Sequence, residues 1–404
     1  MALKVHIKPI GLLDMLYFKG KKNKREKIIQ NTEVKPLTVN YNSNLKAMER
    51  HPGNQEFVIE EIIDRGGNGD VKSYVLKKKD GTNPAFFRAG QFMVLRQMID
   101  GKLICRPVTL SCGPAMTLEG KCMVTVKRVE PDGFLSGYIH DNWKVGDTVE
   151  TSGPQGTFYY EGLRDAGKVI AVAGGSGITP IFAMANAIAD GDEDFELVIL
   201  YGSKTKKDIL FEEEFAEIMK RTDKVKLVNV LSNEEAEGCE SGFITAELIK
   251  KYAGDGEYSV FAAGSHAMYE FLDGEAEKLG LAKKFYRKEL YDNVCRPWEY
   301  KNYPIEAKDK VFKLKIKMCD REMEIDCNSN ENLMVALERA GIAGPNRCRG
   351  GICGWCRSRL LEGDVFIPED TDGRREADKL LGYIHPCASF AISDLYIEMP
   401  NRKN

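Results

Sequence analysis

The 404-residue sequence predicts a multidomain protein of mixed α/β and β class: a small antiparallel β-barrel, a doubly wound parallel α/β domain, and a third module around a cysteine loop. Three observations carry this. Short β-rich runs divided by Gly/Pro turns fill residues 54–161, and buried apolar runs alternate with helical ones over 162–294. NRCRGGICGWCRSRL, residues 346–360, then sets three cysteines at a C-x4-C-x2-C spacing in a stretch without hydrophobic period. At roughly 150 residues per domain the length allows about two to three domains, each able to bury a core without disulfides.

Composition narrows the class. A net charge of −3 with 29% charged residues gives no polyanion-binding surface, so no nucleic-acid partner is expected. Eleven cysteines without a signal peptide point to reduced thiols in the cytoplasm, and so to metal or redox chemistry. The five histidines are scattered singly and form no mixed Cys/His zinc set; most are expected at the surface or in packing.

Residues 1–53 read as a basic extension. The first 50 residues carry eleven Lys/Arg against four Asp/Glu, +7, which leaves the remainder at −10. Its apolar patch, IGLLDMLYF, is far shorter than the ~20 residues that span a bilayer, so neither a transmembrane segment nor a signal peptide is read there. A simple extension packed on the body is favoured over an amphipathic helix touching lipid or a partner.

The barrel strands are expected in EFVIEEIID, VKSYVLKKKDG, GQFMVLRQ, MVTVKRVEPDG and DTVETSGPQGTFYY, within residues 54–161. In residues 162–294, KVIAVAGG, FELVILYGS, KLVNVLS and YSVFAAGS alternate with helical segments such as TPIFAMANAIADG and DILFEEEFAEIMKR, the signature of a parallel sheet. CRPWEYKNYPIEA, residues 295–307, has two prolines and no period and reads as a linker. From 308 to 404, VFKLKIKM and EMEIDCNS read as a hairpin, NLMVALERAG as a helix and SDLYIEMPN as a closing strand. Cys319 and Cys327, in the hairpin, are expected as core thiols.

Cys348, Cys353 and Cys356 are followed by Cys387 in IHPCASFA, the plant-type spacing for a [2Fe-2S] cluster. One wrapped loop supplies three thiolates and a distant segment the fourth. Gly350, Gly351 and Gly354 let the backbone fold close around inorganic sulfide, and Arg347 and Arg349 add positive charge beside an anionic group. Zinc loops favour paired C-x2-C units, which this is not. Residues 308–404, with Asn346 and Arg347 beside these glycines, resemble the β-grasp ferredoxin domain throughout.

In CRPVTLSCG, residues 105–113, an arginine precedes Thr109 and Ser111, a set suited to phosphate. With AGQF before it and DGFLSGYI and GPQGTF after it, the region resembles the flavin-binding β-barrel of the ferredoxin-NADP reductase family, whose motif is Arg-x-Tyr-Ser/Thr. The resemblance implies that Arg106 holds a flavin phosphate, Thr109 and its neighbour Ser111 lie by the flavin, and Gly133, Leu135 and Ser136 close on the pyrophosphate. Val108 stands where the family has Tyr. The Gly133–Ser136 step favours FAD over FMN.

VIAVAGGSGITP, residues 169–180, runs a buried strand into a glycine turn and a helix, where N–H groups can meet a pyrophosphate. It resembles the family's GGxGITP segment, which implies nucleotide contacts at Gly174, Gly175, Gly177 and Thr179. FAAGSHAM takes the place of the family's Cys-Gly-Pro, with Ala263 for the cysteine, then Gly264, and Ser265 for the proline. KELYDN resembles its terminal acid-x-aromatic element, making Glu289 and Tyr291, with Thr179, the candidate catalytic residues. At the ribose end, Ser203 and Lys204 follow the second strand; Lys204 suits a 2′-phosphate, but Glu234, Glu235 and Glu237 oppose it, so NADH is favoured over NADPH.

A hydride donor delivers two electrons and a [2Fe-2S] cluster accepts one at a time, a mismatch that a flavin bridges. The module order implies an NAD(P)H-dependent iron-sulfur flavoprotein reductase. Electrons would pass from NADH through FAD to the cluster and on to a redox protein acceptor such as an oxygenase, a metalloenzyme or a corrinoid protein. The alternatives are a redox-sensing or scaffold subunit, towards which Val108 and Ala263 lean, and a reductase acting on a small molecule at the flavin.

Overall fold

The computed structural model describes residues 11–31, 41–65, 69–129, 133–289 and 296–400. The chain divides into two units, Met1–Ala47 and Met48–Asn404. Helix α1 (Leu12–Asn31) buries none of its side chains, and neither does α2 (Asn42–Arg50). Among the described residues no helix is long and apolar enough to cross a membrane.

The first sheet comprises β1 (Asn54–Asp64), β2 (Val71–Lys78), β3 (Phe92–Ile99), β4 (Lys102–Thr109), β5 (Lys121–Lys127) and β6 (Thr148–Ser152), ordered β4-β3-β6-β1-β2-β5 and antiparallel throughout. Alternation along β1 turns Phe57 and Ile59 inward. A bridge between Leu110 and Val124 draws the edge strands together, curling the sheet towards a barrel. Helix α3 (Phe134–Asn142) closes one end through buried Leu135 and Ile139. Just beyond it, Trp143 stands edge-on to Tyr74 at 5.2 Å.

The second sheet is parallel: β7 (Lys168–Gly174), β8 (Glu196–Ser203), β9 (Val225–Leu231), β10 (Glu240–Ser241), β11 (Ser259–Ala263) and β12 (Tyr286–Lys288), ordered β10-β9-β8-β7-β11-β12. The near-continuous apolar runs of β7 and β11 follow from burial on both faces by the crossover helices α4 (Ile178–Asp190), α5 (Glu212–Arg221), α6 (Ala246–Ala253) and α7 (His266–Leu279). Thr245 and Ser265 cap α6 and α7 with side-chain oxygens. From β7 the chain steps outward to β10, then returns to the other side of β7 as β11. That reversal opens a crevice at the carboxyl ends of β7 and β11.

The third module is a mixed sheet of β13 (Val311–Met318), β14 (Arg321–Asn328), β15 (Ser358–Glu362), β17 (Tyr383–Ile384) and β19 (Leu395–Met399), with α8 (Leu333–Arg339) packed on it. A small ribbon of β16 (Val365–Phe366) and β18 (Phe390–Ala391) and helix α9 (Glu376–Leu380) complete the β-grasp arrangement. Cys327 is fully buried beside Leu314 and Leu337, as expected of a core thiol. Cys319 is a correction: it is exposed in the two-residue turn of the hairpin, in left-handed backbone at φ 58°. Position 319 belongs to the turn and therefore presents no side chain to the sheet face. Within residues 296–307, Tyr303 is buried edge-on to Phe366 at 5.1 Å, so this stretch is packed on the third module.

Candidate functional site

A cleft of about 1450 Å³ runs across the barrel and the parallel sheet, and Asn330, Asn332 and Val335 of the third module form part of its wall. Arg106, Val108 and Thr109 enter it at the end of β4, and Gly133, Leu135 and Ser136 at the start of α3. Gly133 is required there, since a Cβ would lie 2.4 Å from the Val129 carbonyl oxygen. The Ser136 hydroxyl accepts from the Val129 amide at 3.1 Å, pinning the turn. Thr109, 4% exposed, donates from Oγ1 to Oε1 of Glu289, 6% exposed, at 3.1 Å. Two of the predicted residues, from opposite sides of the cleft, thus meet.

Arg106 reaches elsewhere as well. Its Nη1 donates to both carboxylate oxygens of Glu338 on α8, at 3.0 and 2.9 Å. Ser111 is fully buried and does not itself line the cleft; its hydroxyl stands behind the wall, 2.7 Å from that of Thr125, which does. β4 ends at Thr109, so its two-residue alternation does not carry on to Ser111.

At the crevice, Gly174, Gly175, Gly177 and Thr179 line the wall below β7, Gly264 below β11, and Ser203 and Lys204 below β8. The N-terminal amides of α4 follow directly, a site that favours anions. Thr179 donates its hydroxyl to the Ser176 carbonyl at 3.0 Å, tightening the turn. Ala263 is fully buried and outside the lining; its carbonyl would lie 2.2 Å from a Cβ on Gly177, so it serves by backbone contact. Glu234 accepts from the Lys206 amide at 3.0 Å instead of facing the cleft. Tyr291 lies outside the described residues.

The four cysteines of the motif come together as two pairs. Cys356 and Cys387 sulfurs are 3.4 Å apart, and the Cys353 thiol is hydrogen-bonded to the Cys348 sulfur. That bond, with amides of Cys353, Gly350 and Ile352 also directed at the sulfur, holds the Cys348 thiol well below the usual thiol range, while sharing its proton with Cys348 raises Cys353. The backbone permits this because Gly351 and Gly354 are left-handed at φ 77° and 66°; a Cβ on Gly351 would sit 2.1 Å from the Thr371 carbonyl oxygen. His385 fixes the loop through Nδ1, 2.5 Å from the Gly351 carbonyl. Two thiolate pairs are the donor set for two irons. Arg349 lies beside them, fully buried, its Nε and Nη1 without a hydrogen-bond partner, which suits an anionic cluster with sulfur acceptors. The donor set therefore fits a [2Fe-2S] group.

The cysteine loop lies against the barrel: Cys348 packs with Phe92, Val94 and Cys105. Cys353, by contrast, is exposed, next to half-exposed Ile352. The motif thus has one sulfur towards the flavin barrel and another towards solvent.

Some cleft residues carried no sequence signal. Tyr269 donates its hydroxyl to the Glu289 carbonyl at 2.5 Å and accepts from the Gly264 amide at 3.1 Å, tying the two strand ends together. Exposed Phe243 and Phe271, with ring centroids 5.8 Å apart, line the nucleotide end, and Lys207 joins Lys204. These come from helices and loops whose patterns encode only packing. Phe243, an aromatic within the polar turn ESGFIT, was the one available hint.

Comparison with known proteins agrees with this architecture. Three family profiles match in order: an oxidoreductase FAD-binding domain over residues 65–160, an oxidoreductase NAD-binding domain over 171–273, and a 2Fe-2S iron-sulfur cluster binding domain over 316–391. The chain is 28% identical over 326 residues to the glycine betaine monooxygenase reductase subunit of Chromohalobacter salexigens, covering 78% of this chain and 87% of that one. It is 31% identical over 225 residues to NADH-cytochrome b5 reductase 1 of Candida glabrata, covering 53% and 76%. In fold it is similar to phthalate dioxygenase reductase, with a TM-score of 0.61 at 20% identity over 86% of this chain and 98% of that one. With the glycine crevice and the Arg106–Thr109 strand end on one cleft and the paired thiols in a loop packed on the barrel, the chain belongs to the ferredoxin-NADP reductase-like family, as an NAD(P)H-dependent iron-sulfur flavoprotein reductase with FAD, NADH and a [2Fe-2S] cluster.

Proposed function

We propose that this reductase is the electron-supplying component of an oxygenase system, with a separate oxygenase protein as the acceptor at the exposed edge of the cysteine loop. The observation that carries the reading is the position of that loop, with Cys348 against the flavin barrel and Cys353 towards solvent. Names among the relatives support it, since the Chromohalobacter protein is a monooxygenase reductase subunit.

Bound FAD and cluster supply the conversion of one hydride into two single electrons. The chain's task is to hold and orient them. Arg106 and the Gly133–Ser136 turn would take the flavin phosphates, and Thr109 with Glu289 would fix the flavin beside the nicotinamide. Gly174, Gly175, Gly177 and the first amides of α4 would hold the NADH pyrophosphate. Cys348, Cys353, Cys356 and Cys387 would ligate the cluster, with Arg349 balancing its charge. Residues 54–161, 162–294 and 308–404 serve as the three functional modules.

The test is Cys353→Ser in the holoenzyme. NADH-dependent ferricyanide reduction, which needs only the flavin, should survive, while reduction of cytochrome c or of an oxygenase falls by about a hundred-fold or more, as for loss of an essential group. Equal activity of both kinds in the variant would mean that electrons leave from the flavin.

A further inference from the structure

We propose that Glu338 is a positioning residue for flavin-to-cluster electron transfer, holding Arg106 of the flavin barrel and Arg349 of the cysteine loop on one carboxylate and so fixing the docked pose of the ferredoxin module. The inference rests on the flavin and cluster assignments above but concerns a residue outside both sites.

The carboxylate is 4% exposed and has partners in two modules. Arg106 Nη1 donates to Oε1 at 3.0 Å and Oε2 at 2.9 Å, and Arg349 Nη2 donates to Oε2 at 3.2 Å. The Cys105 amide donates to Oε1 at 3.3 Å. Because β4 is the sheet's edge strand, that amide faces away from β3, and Glu338 satisfies a donor that the sheet leaves open. Two guanidiniums share one carboxylate, so the arrangement is stable only while Glu338 is present.

Arg349 gives a second, independent indication. It is a non-glycine residue at φ 59°, a conformation disfavoured for L side chains, yet its side chain is completely buried. It directly follows Cys348, and Arg106 directly follows Cys105. Cys105 and Cys348 belong to one buried cluster with Phe92 and Val94. The carboxylate therefore grips the residues next to the point where cysteine loop and barrel touch, and sets the spacing that a single electron must cross. The step makes and breaks no bond.

The test is anaerobic stopped-flow with NADH on the holoenzyme, following flavin and cluster bleaching separately. Glu338→Gln keeps the shape but removes the charge. Flavin reduction should stay within about two-fold of wild type while cluster reduction slows about ten-fold or more, a misplacement-sized effect. Glu338→Asp, charged but shorter, should fall between. Wild-type cluster reduction in a Glu338→Gln protein with full iron and flavin would overturn the proposal. If that variant loses cofactor, Glu338→Asp decides by the same two rates. Loss of iron from both variants would also overturn it, because Glu338 would then hold the loop's fold and not its pose. Absence of cluster reduction in the wild type would instead count against the electron path itself.

Discussion

Thr109 and Glu289 meet at 3.1 Å from modules 180 residues apart, both nearly excluded from water. A buried carboxylate oxygen that loses its donor costs about 1–3 kcal/mol. Thr109→Val keeps the volume and removes the hydroxyl, so Glu289 should shift. Flavin reduction by NADH should slow by about 5- to 30-fold, the equivalent of one to two kcal/mol, and Thr109→Ser should restore most of it. Rates within two-fold of wild type for the valine variant would assign the pair a packing role only. Legibility at this scale followed spacing. Cys348, Cys353, Cys356 and Cys387 could be picked out because cluster ligation fixes residue type and interval together. Ser111, the next hydroxyl after Thr109, is fully buried and stands one residue behind the wall, bonded to the cleft-lining Thr125. Glu338 and Tyr269 could not be found, because their partners arrive from other modules and no local pattern records that.

At the scale of elements, the turn from β7 to α4 shows how a glycine can be required without unusual dihedrals. Gly177 has φ −62°, ordinary for any residue, yet a Cβ would meet the Ala263 carbonyl at 2.2 Å and the Gly264 amide nitrogen at 2.7 Å. Those are backbone atoms of β11 and its turn, so relief requires the two strand ends to part. Gly177→Ala should therefore raise KM for NADH about ten-fold or more, with little change in ferricyanide reduction at saturating NADH. An unchanged KM would place the nucleotide away from this crevice. The strand–turn–helix order was readable from VIAVAGGSGITP, because a buried parallel strand is a continuous apolar run. The reason for the third glycine was not. It depends on β11 lying beside β7, a pairing between residues some 90 apart that only the closed sheet reveals.

For the whole molecule, the order barrel, parallel sheet, β-grasp was legible from changes of period, but the joints between modules were not. One joint rests on Arg287 of β12. Its guanidinium donates to the carbonyls of Tyr159 and Thr157 in the segment leading out of the barrel, lies 3.4 Å from Asp165, and covers the Phe261 ring at 4.9 Å. In sequence it appears as one basic residue in YRKEL, indistinguishable from its lysine neighbours. A planar fork can serve two carbonyls and a ring face together, whereas an ammonium cannot. Arg287→Lys keeps the charge but leaves at least one carbonyl without a donor. It should cost about 2–4 kcal/mol, read from urea unfolding of the holoenzyme followed by flavin release. Glu289 is two residues further along the same segment, so loosening this joint should also disturb the Thr109 contact. Flavin reduction by NADH should slow in parallel with the loss of stability. Destabilisation with an unaltered reduction rate would show that the joint holds the modules together without setting the geometry of the cleft between them.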